Sequence, residues 1–197
     1  MNDLTSRFNN QGHDKTTVLL SGGVDSMACT HFYKVTNAYV DGLFIDYGQK
    51  AASREKKAAS NIASYFDIRL SKIRLNGLSP FIYKSGFIRG RNVAFLIIGL
   101  MNSHTKTGSI ALGVHSGTDY SDCTPEFEKL SQKIFDLYTG GKFSVGAPFI
   151  SWSKADVWKY CETHKLPVDM TYSCELGLDQ PCGICNSCKD RIVLSAG

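Results

Sequence analysis

The 197 residues, 43% of them hydrophobic, are enough for one domain with a sizeable core, and no apolar run reaches the roughly 20 residues of a membrane-spanning helix. A net charge of +4 without a long basic run lends little support to nucleic-acid binding and suits small anionic ligands. Residues 1–17 are polar and mixed in charge, unlike a secretory signal, so a cytoplasmic protein is expected, and four of the seven cysteines crowd the last 24 residues, a pattern of metal binding rather than of disulfides.

In chain order, residues 16–20 form a short apolar run ending in Ser-Gly-Gly and residues 25–33 are compatible with a helix, so strand, tight turn and helix are predicted. Residues 39–45 read as a second strand, 49–66 as a solvent-facing helix rich in Ala, Lys and Glu, and 68–75 as a third strand of alternating character. A buried helix is predicted over 92–103, a fourth strand over 109–114, an amphipathic helix over 124–138, and a last helix over 153–163 with Ser153 as N-cap. Strands alternating with helices predict an α/β fold, a Rossmann-like doubly wound parallel sheet covered on both faces. No repeat, low-complexity tract or linker marks a boundary, so residues 1–197 are expected to form a single domain. Ligands of such sheets bind at the carboxyl ends of the strands, so residues 21–26, 46–49 and 113–123 should line one edge.

The first of these segments carries the clearest chemistry. In Leu20-Ser21-Gly22-Gly23-Val24-Asp25-Ser26, backbone N–H groups between a strand and a helix can converge on an anion, and adjacent glycines let the chain approach it closely. Ser21 and Ser26 add hydroxyl donors. Asp25 fits an anion site once magnesium is supposed, because a carboxylate and phosphate oxygens together hold that cation. The loop is neither a Walker A loop nor a dinucleotide fingerprint; it resembles the SGGxDS PP-loop of the N-type ATP pyrophosphatases. The plainer alternative is a tight strand-to-helix turn with Asp25 capping the helix.

At the other end, Cys174, Cys182, Cys185 and Cys188 offer four thiolates to a tetrahedral ion, with Gly183 or Asn186 able to turn the chain between them. Four protein ligands leave no position open, so a structural zinc is expected. An iron–sulfur cluster and a redox pair are the competing readings.

With both motifs in hand, the chain resembles the QueC family, the 7-cyano-7-deazaguanine synthases, over nearly its whole length. Beside the PP-loop, Asp46-Tyr47-Gly48-Gln49 resembles the family's FDYGQ segment, Gly90-Arg91-Asn92 with Phe95-Leu96 its GRNxxFL segment, and Ser153-Lys154-Ala155-Asp156 its TKAE segment. Gly113-Val114 with Asp122-Cys123 and Phe127 resembles the substrate loop, and Thr171-Tyr172-Ser173-Cys174 with the remaining cysteines and Arg191 the zinc-binding end. The resemblance implies activation of a deazaguanine carboxylate, 7-carboxy-7-deazaguanine, as an adenylate, followed by amidation with ammonia and dehydration to the nitrile. It also implies a homodimer. ATP would be held by residues 20–26 with Asp46, Tyr47 and Gln49, and the substrate by Asn92, His115, Asp119, Tyr120 and Asp122. Asp25, Lys154 and Arg91 are the expected catalytic groups, Lys154 at a helix start facing pyrophosphate and Arg91 forking onto a phosphate or carboxylate. Solvated surface cations are the bland alternative for both, and a loop histidine such as His115 is ordinarily polar surface.

The substrate loop departs from the family pattern GVxxTDFSGYPDC, being shortened between Tyr120 and Asp122. That departure motivates a second reading, a QueC-like paralogue that passes the deazaguanine to another amine, for example on a protein. A third, an RNA-binding zinc knuckle on an inert nucleotide fold, is opposed by the segment 182–191, which has only Lys189 and Arg191 as cations and no aromatic for stacking.

Overall fold

The apolar run after Lys15 forms the central strand of the sheet. β1 (Thr16–Leu19) pairs in parallel with β2 (Val40–Asp46) on one side and with β4 (Gly108–Ala111) on the other. β3 (Leu70–Arg74) extends the sheet beyond β2, and β5 (Phe143–Gly146) extends it beyond β4. The computed structural model describes residues 15–36, 39–77, 88–117 and 120–195. Its sheet order is β3-β2-β1-β4-β5, all parallel, so the connections run outward in opposite directions from β1. This is the doubly wound arrangement, and its switch point lies between the carboxyl ends of β1 and β4.

Both faces of the sheet are covered, which is why its strands bury successive residues on opposite sides. On one face α1 (Val24–Thr36), α2 (Ala52–Tyr65) and α5 (Lys154–Thr163) pack over Val18, Leu20, Val40, Phe44 and Ala111. On the other, α3 (Arg91–Met101) and α4 (Pro125–Thr139) enclose Ile110, Leu112, Phe143 and Val145 with Leu96 and Phe135. Helix boundaries follow local chemistry. Thr124 caps α4 by accepting the Phe127 N–H, and Gly140 ends it in the left-handed conformation. Ser153 and Asp156 form a reciprocal capping box at the start of α5, as the predicted N-cap requires.

Two elements and one burial differ from expectation. β5 and α6 (Asn186–Ser195) are additional to the predicted set. The predicted buried helix is buried on one side only, with Asn92, Leu96 and Gly99 inside while Met101 is 79% exposed. Its apolar residues run all round, but a helix laid on a sheet presents a single face to the strands. No helix among the described residues is long and apolar enough to cross a membrane.

Candidate active site

The three predicted loops leave the carboxyl ends of β1, β2 and β4, and the start of α5 joins them at the switch point. In the first loop, Ser26 Oγ donates to Gly23 O at 2.9 Å and Ser21 Oγ to Ser26 Oγ at 3.2 Å. These bonds fix the turn at the amino-terminal end of α1, whose first intrahelical bond runs from the Met27 N–H to Gly23 O at 3.0 Å. Gly22 has φ +89°, and a Cβ there would stand 2.5 Å from the Glu55 carbonyl of α2. The glycine is thus required by a close approach to α2 as well as by conformation. Gly22→Ala is expected to destabilise the protein by about 3 kcal/mol, the sum of a left-handed alanine and local overpacking, and to lower Tm by about 10 °C. A thermal melt checks it; an unchanged Tm would mean that α2 does not press on the loop.

Asp25 does not cap α1. Both its oxygens accept from Lys154 Nζ, at 2.6 and 2.5 Å, across 129 residues of sequence. Lys154, the first residue of α5, is therefore no solvated surface cation: it lies at the phosphate loop, about one quarter exposed like its partner. Gly113, after β4, closes the same corner, since a Cβ there would be 2.4 Å from Asp25 O and 3.0 Å from Ser26 N.

A second cluster lies on the β2 side of the loop. Gln49 folds back so that its Oε1 accepts the Tyr47 N–H at 2.9 Å while its Nε2 donates to Glu55 Oε2 at 2.7 Å. Asp46 Oδ1 accepts the Gly48 N–H, completing the turn. Arg91 reaches Tyr47 Oη at 3.5 Å and Asn92 Oδ1 at 3.4 Å, and the Tyr47 ring packs on Phe95. Arg91 too is drawn inward, half-buried at the start of α3. Glu55 was not a predicted site residue. Burial pushes its carboxyl pKa up and the nearby Asp46 adds to this, against the Gln49 hydrogen bond and the Arg91 charge. Its one sequence signal was its place in the first turn of the helix after Gln49.

The predicted substrate residues are divided by the fold. Asn92 is buried in the second cluster, whereas His115 is buried beside the phosphate loop, which overturns the surface expectation for it. The loop from Gly113 folds under Trp152, whose carbonyl accepts both the N–H and the hydroxyl of Ser116. Tyr120, exposed, and Asp122, half-buried, stand at a short helical turn, Ser121–Cys123, that leads into α4. Asp119 lies outside the described residues. A cleft of about 470 Å³ lined by Lys15, Lys34, Asp41 and Arg69 opens at the opposite, amino-terminal edge, away from every motif.

The four C-terminal cysteines converge, with all ligand sulfurs within 4.8 Å of one another. Bonds of about 2.3 Å to one tetrahedral ion place sulfurs about 3.8 Å apart, and Cys182 Sγ and Cys188 Sγ are 3.9 Å apart. An iron–sulfur cluster would hold its cysteines around several metal atoms, so the spacing suits a single ion. Backbone N–H groups of Cys182 and Cys185 point at Cys174 Sγ and Cys182 Sγ. Burial tends to raise the Cys174 thiol, yet the N–H donors of Cys182 and Leu176 and the adjacent thiols bring it down to about 6. Cys188 is pushed up to about 12, first by burial and then by Cys185. Thiols this close cannot all lose their protons together unless a cation offsets the repulsion between the thiolates, which is the condition of a metal site.

Comparison with known proteins agrees with this geometry. The family model described as queuosine biosynthesis protein QueC matches residues 15–85 and 80–193. A 7-cyano-7-deazaguanine synthase of Synechococcus sp. (strain CC9311) is 31% identical over 215 residues, covering 93% of this chain and 95% of that protein. One from Prochlorococcus marinus (strain AS9601) is 31% identical over 203 residues, covering 88% and 90%. Among solved structures, an NMN synthetase from Francisella tularensis superposes with TM-score 0.58 at 14% identity, covering 98% of this chain and 82% of that one. An NH3-dependent NAD synthetase from Campylobacter jejuni superposes with TM-score 0.55 at 15% identity, covering 85% and 71%. At such identities these structures speak for the fold alone.

Proposed function

The chain belongs to the QueC family, and we propose that it uses two molecules of ATP to convert 7-carboxy-7-deazaguanine into 7-cyano-7-deazaguanine. A carboxylate is a poor electrophile at neutral pH. Its oxygen attacks the α-phosphate of ATP and releases pyrophosphate, and ammonia then displaces AMP to give the amide. A second ATP activates the amide oxygen in the same way, and loss of AMP with a proton leaves the nitrile.

The observation that carries this reading is the meeting of the phosphate loop, Asp25 and Lys154 at the switch point of the sheet. The amides and hydroxyls of residues 21–26 would take the pyrophosphate portion of ATP, and Lys154 the charge that develops on it. Asp25 would hold magnesium, whose chemistry there is to neutralise phosphate oxygens. The turn of Asp46, Tyr47 and Gln49 would face the nucleoside, with Arg91 and Asn92 at the rim toward the substrate. Cys174, Cys182, Cys185 and Cys188 would hold one zinc ion with no part in the chemistry. The expected homodimer has a matching feature in Met101, Leu137 and Tyr138, exposed on the layer formed by α3 and α4.

The test is to supply ATP, 7-carboxy-7-deazaguanine and ammonium and to follow product masses with time. AMP and pyrophosphate with nitrile accumulating are expected. ADP and phosphate would exclude adenylation, and a terminal amide or a mass added to a protein would establish the paralogue reading that the shortened loop motivates.

A further inference from the structure

His115 is the fourth residue after β4, 8% exposed, in a loop held from both sides. Gly113 lies against the first turn of α1, and Ser116 is tied to the Trp152 carbonyl just before α5. A Cβ on Gly117 would stand 3.3 Å from the Lys154 backbone nitrogen. The imidazole is thus bracketed by two helix N-termini, those that carry Asp25 and Lys154. Its Nδ1 accepts the Gly117 N–H at 3.1 Å. A ring nitrogen that accepts a backbone N–H carries no proton, so the neutral ring has its proton on Nε2. Nε2 has no hydrogen-bond partner among the described residues.

The charged groups around the ring do not reverse this. Burial holds the His115 pKa below its usual value and the Lys154 ammonium adds to that, while Asp25 from α1 and Asp190 from α6 oppose it. Two helix N-termini also disfavour an imidazolium.

We propose that His115 is a fixed, neutral hydrogen-bond donor, offering Nε2–H to a phosphate oxygen of ATP between the phosphate loop and α5. It is not the base that deprotonates the incoming amine, because the nitrogen that could accept a proton is committed to Gly117. This role rests on the reading that ATP binds at the switch point, and it adds a donor that the PP-loop itself does not contain.

Asparagine and glutamine separate the two nitrogens. His115→Asn keeps an acceptor for the Gly117 N–H, as in an Asx turn, and removes the donor at the Nε2 position. His115→Gln keeps an N–H at that reach and loses the acceptor. With magnesium and α,β-methylene-ATP as the calorimetric probe, His115→Asn is expected to bind about tenfold more weakly and His115→Gln within about threefold of wild type, the size of one hydrogen bond to a charged group. Nitrogen NMR of histidine-labelled wild-type protein at neutral pH should show the Nε2–H tautomer, shifting when the probe is added. Wild-type affinity in His115→Asn, an Nδ1–H tautomer, or an imidazolium at neutral pH would overturn the proposal. Should both variants fail to fold, the wild-type spectrum decides, since a resonance unmoved by the probe also overturns it. The proposed reaction fails separately, as probe binding without AMP formation from 7-carboxy-7-deazaguanine.

Discussion

Asp25→Asn is expected to slow AMP formation about a hundredfold or more while leaving Tm within about 3 °C of wild type. The two parts of that expectation have separate causes. Asp25 and Lys154 are each about one quarter exposed, and an ion pair so open to water contributes about 0–1 kcal/mol to stability, while the partner left behind can be solvated. Turnover is different, because both side chains are presented at the loop where pyrophosphate charge would develop. Without nucleotide they neutralise each other; in the proposed reaction magnesium-ATP would separate their tasks, Asp25 toward the cation and Lys154 toward the phosphates. Lys154→Met should therefore be about as damaging, and Asp25→Asn/Lys154→Met not much worse than either alone, since groups that act as a unit are non-additive. Single-turnover AMP release with parallel melts measures all three. Near-wild-type turnover in Asp25→Asn, or fully multiplicative losses, would remove the pair from the reaction.

The partnership of Asp25 and Lys154 marks where sequence reading stops. Each residue was legible by motif, one inside SGGxDS and the other after a helix N-cap, because local patterns report local structure. Their contact was not legible, since it spans 129 residues and depends on α5 returning across the sheet to α1. The parallel sheet could be read because β1, β2 and β4 are apolar runs bounded by turn residues. β5 escaped notice as only four residues, Phe143–Gly146, in which two apolar side chains alternate with Ser144 and Gly146 directly after the turn at Gly140 and Gly141. α6 was hidden by cysteines that read as metal ligands, although Cys188 serves in the helix as well. Burial was the least legible property. Apolar α3 turns out half-exposed and polar His115 is buried, because what covers a residue is set by other elements and not by its own character.

Removing the metal is expected to disable the phosphate loop directly, and not through global unfolding alone. The cysteine segment is bonded to the loop: the Tyr172 N–H, two residues before Cys174, donates to the Gly22 carbonyl at 2.9 Å. Arg54 of α2 pairs with Asp179, and a Cβ on Gly177 would lie 2.3 Å from the Lys50 carbonyl, so the segment also presses on the chain leading into α2. Arg191 holds the near end by donating to the carbonyls of Val168 and Thr171 and to the Thr171 hydroxyl. A four-thiolate site binds zinc with about 10–16 kcal/mol of apparent free energy in small peptides, and that binding is coupled to the order of the ligand-bearing chain. The sheet has its own core on both faces, so Cys185→Ser or a strong chelator should melt the segment around residues 171–191 first. Zinc content is expected to fall from one per chain to none, Tm to drop by more than about 10 °C, and affinity for α,β-methylene-ATP to fall more than about tenfold at temperatures where the far-UV spectrum is still largely native. Metal-free protein that binds the nucleotide analogue as tightly as the metallated form would separate the two sites and refute the coupling. Iron with inorganic sulfide in the purified protein would replace zinc as the occupant while leaving the same bond from Tyr172 to Gly22 to carry the effect.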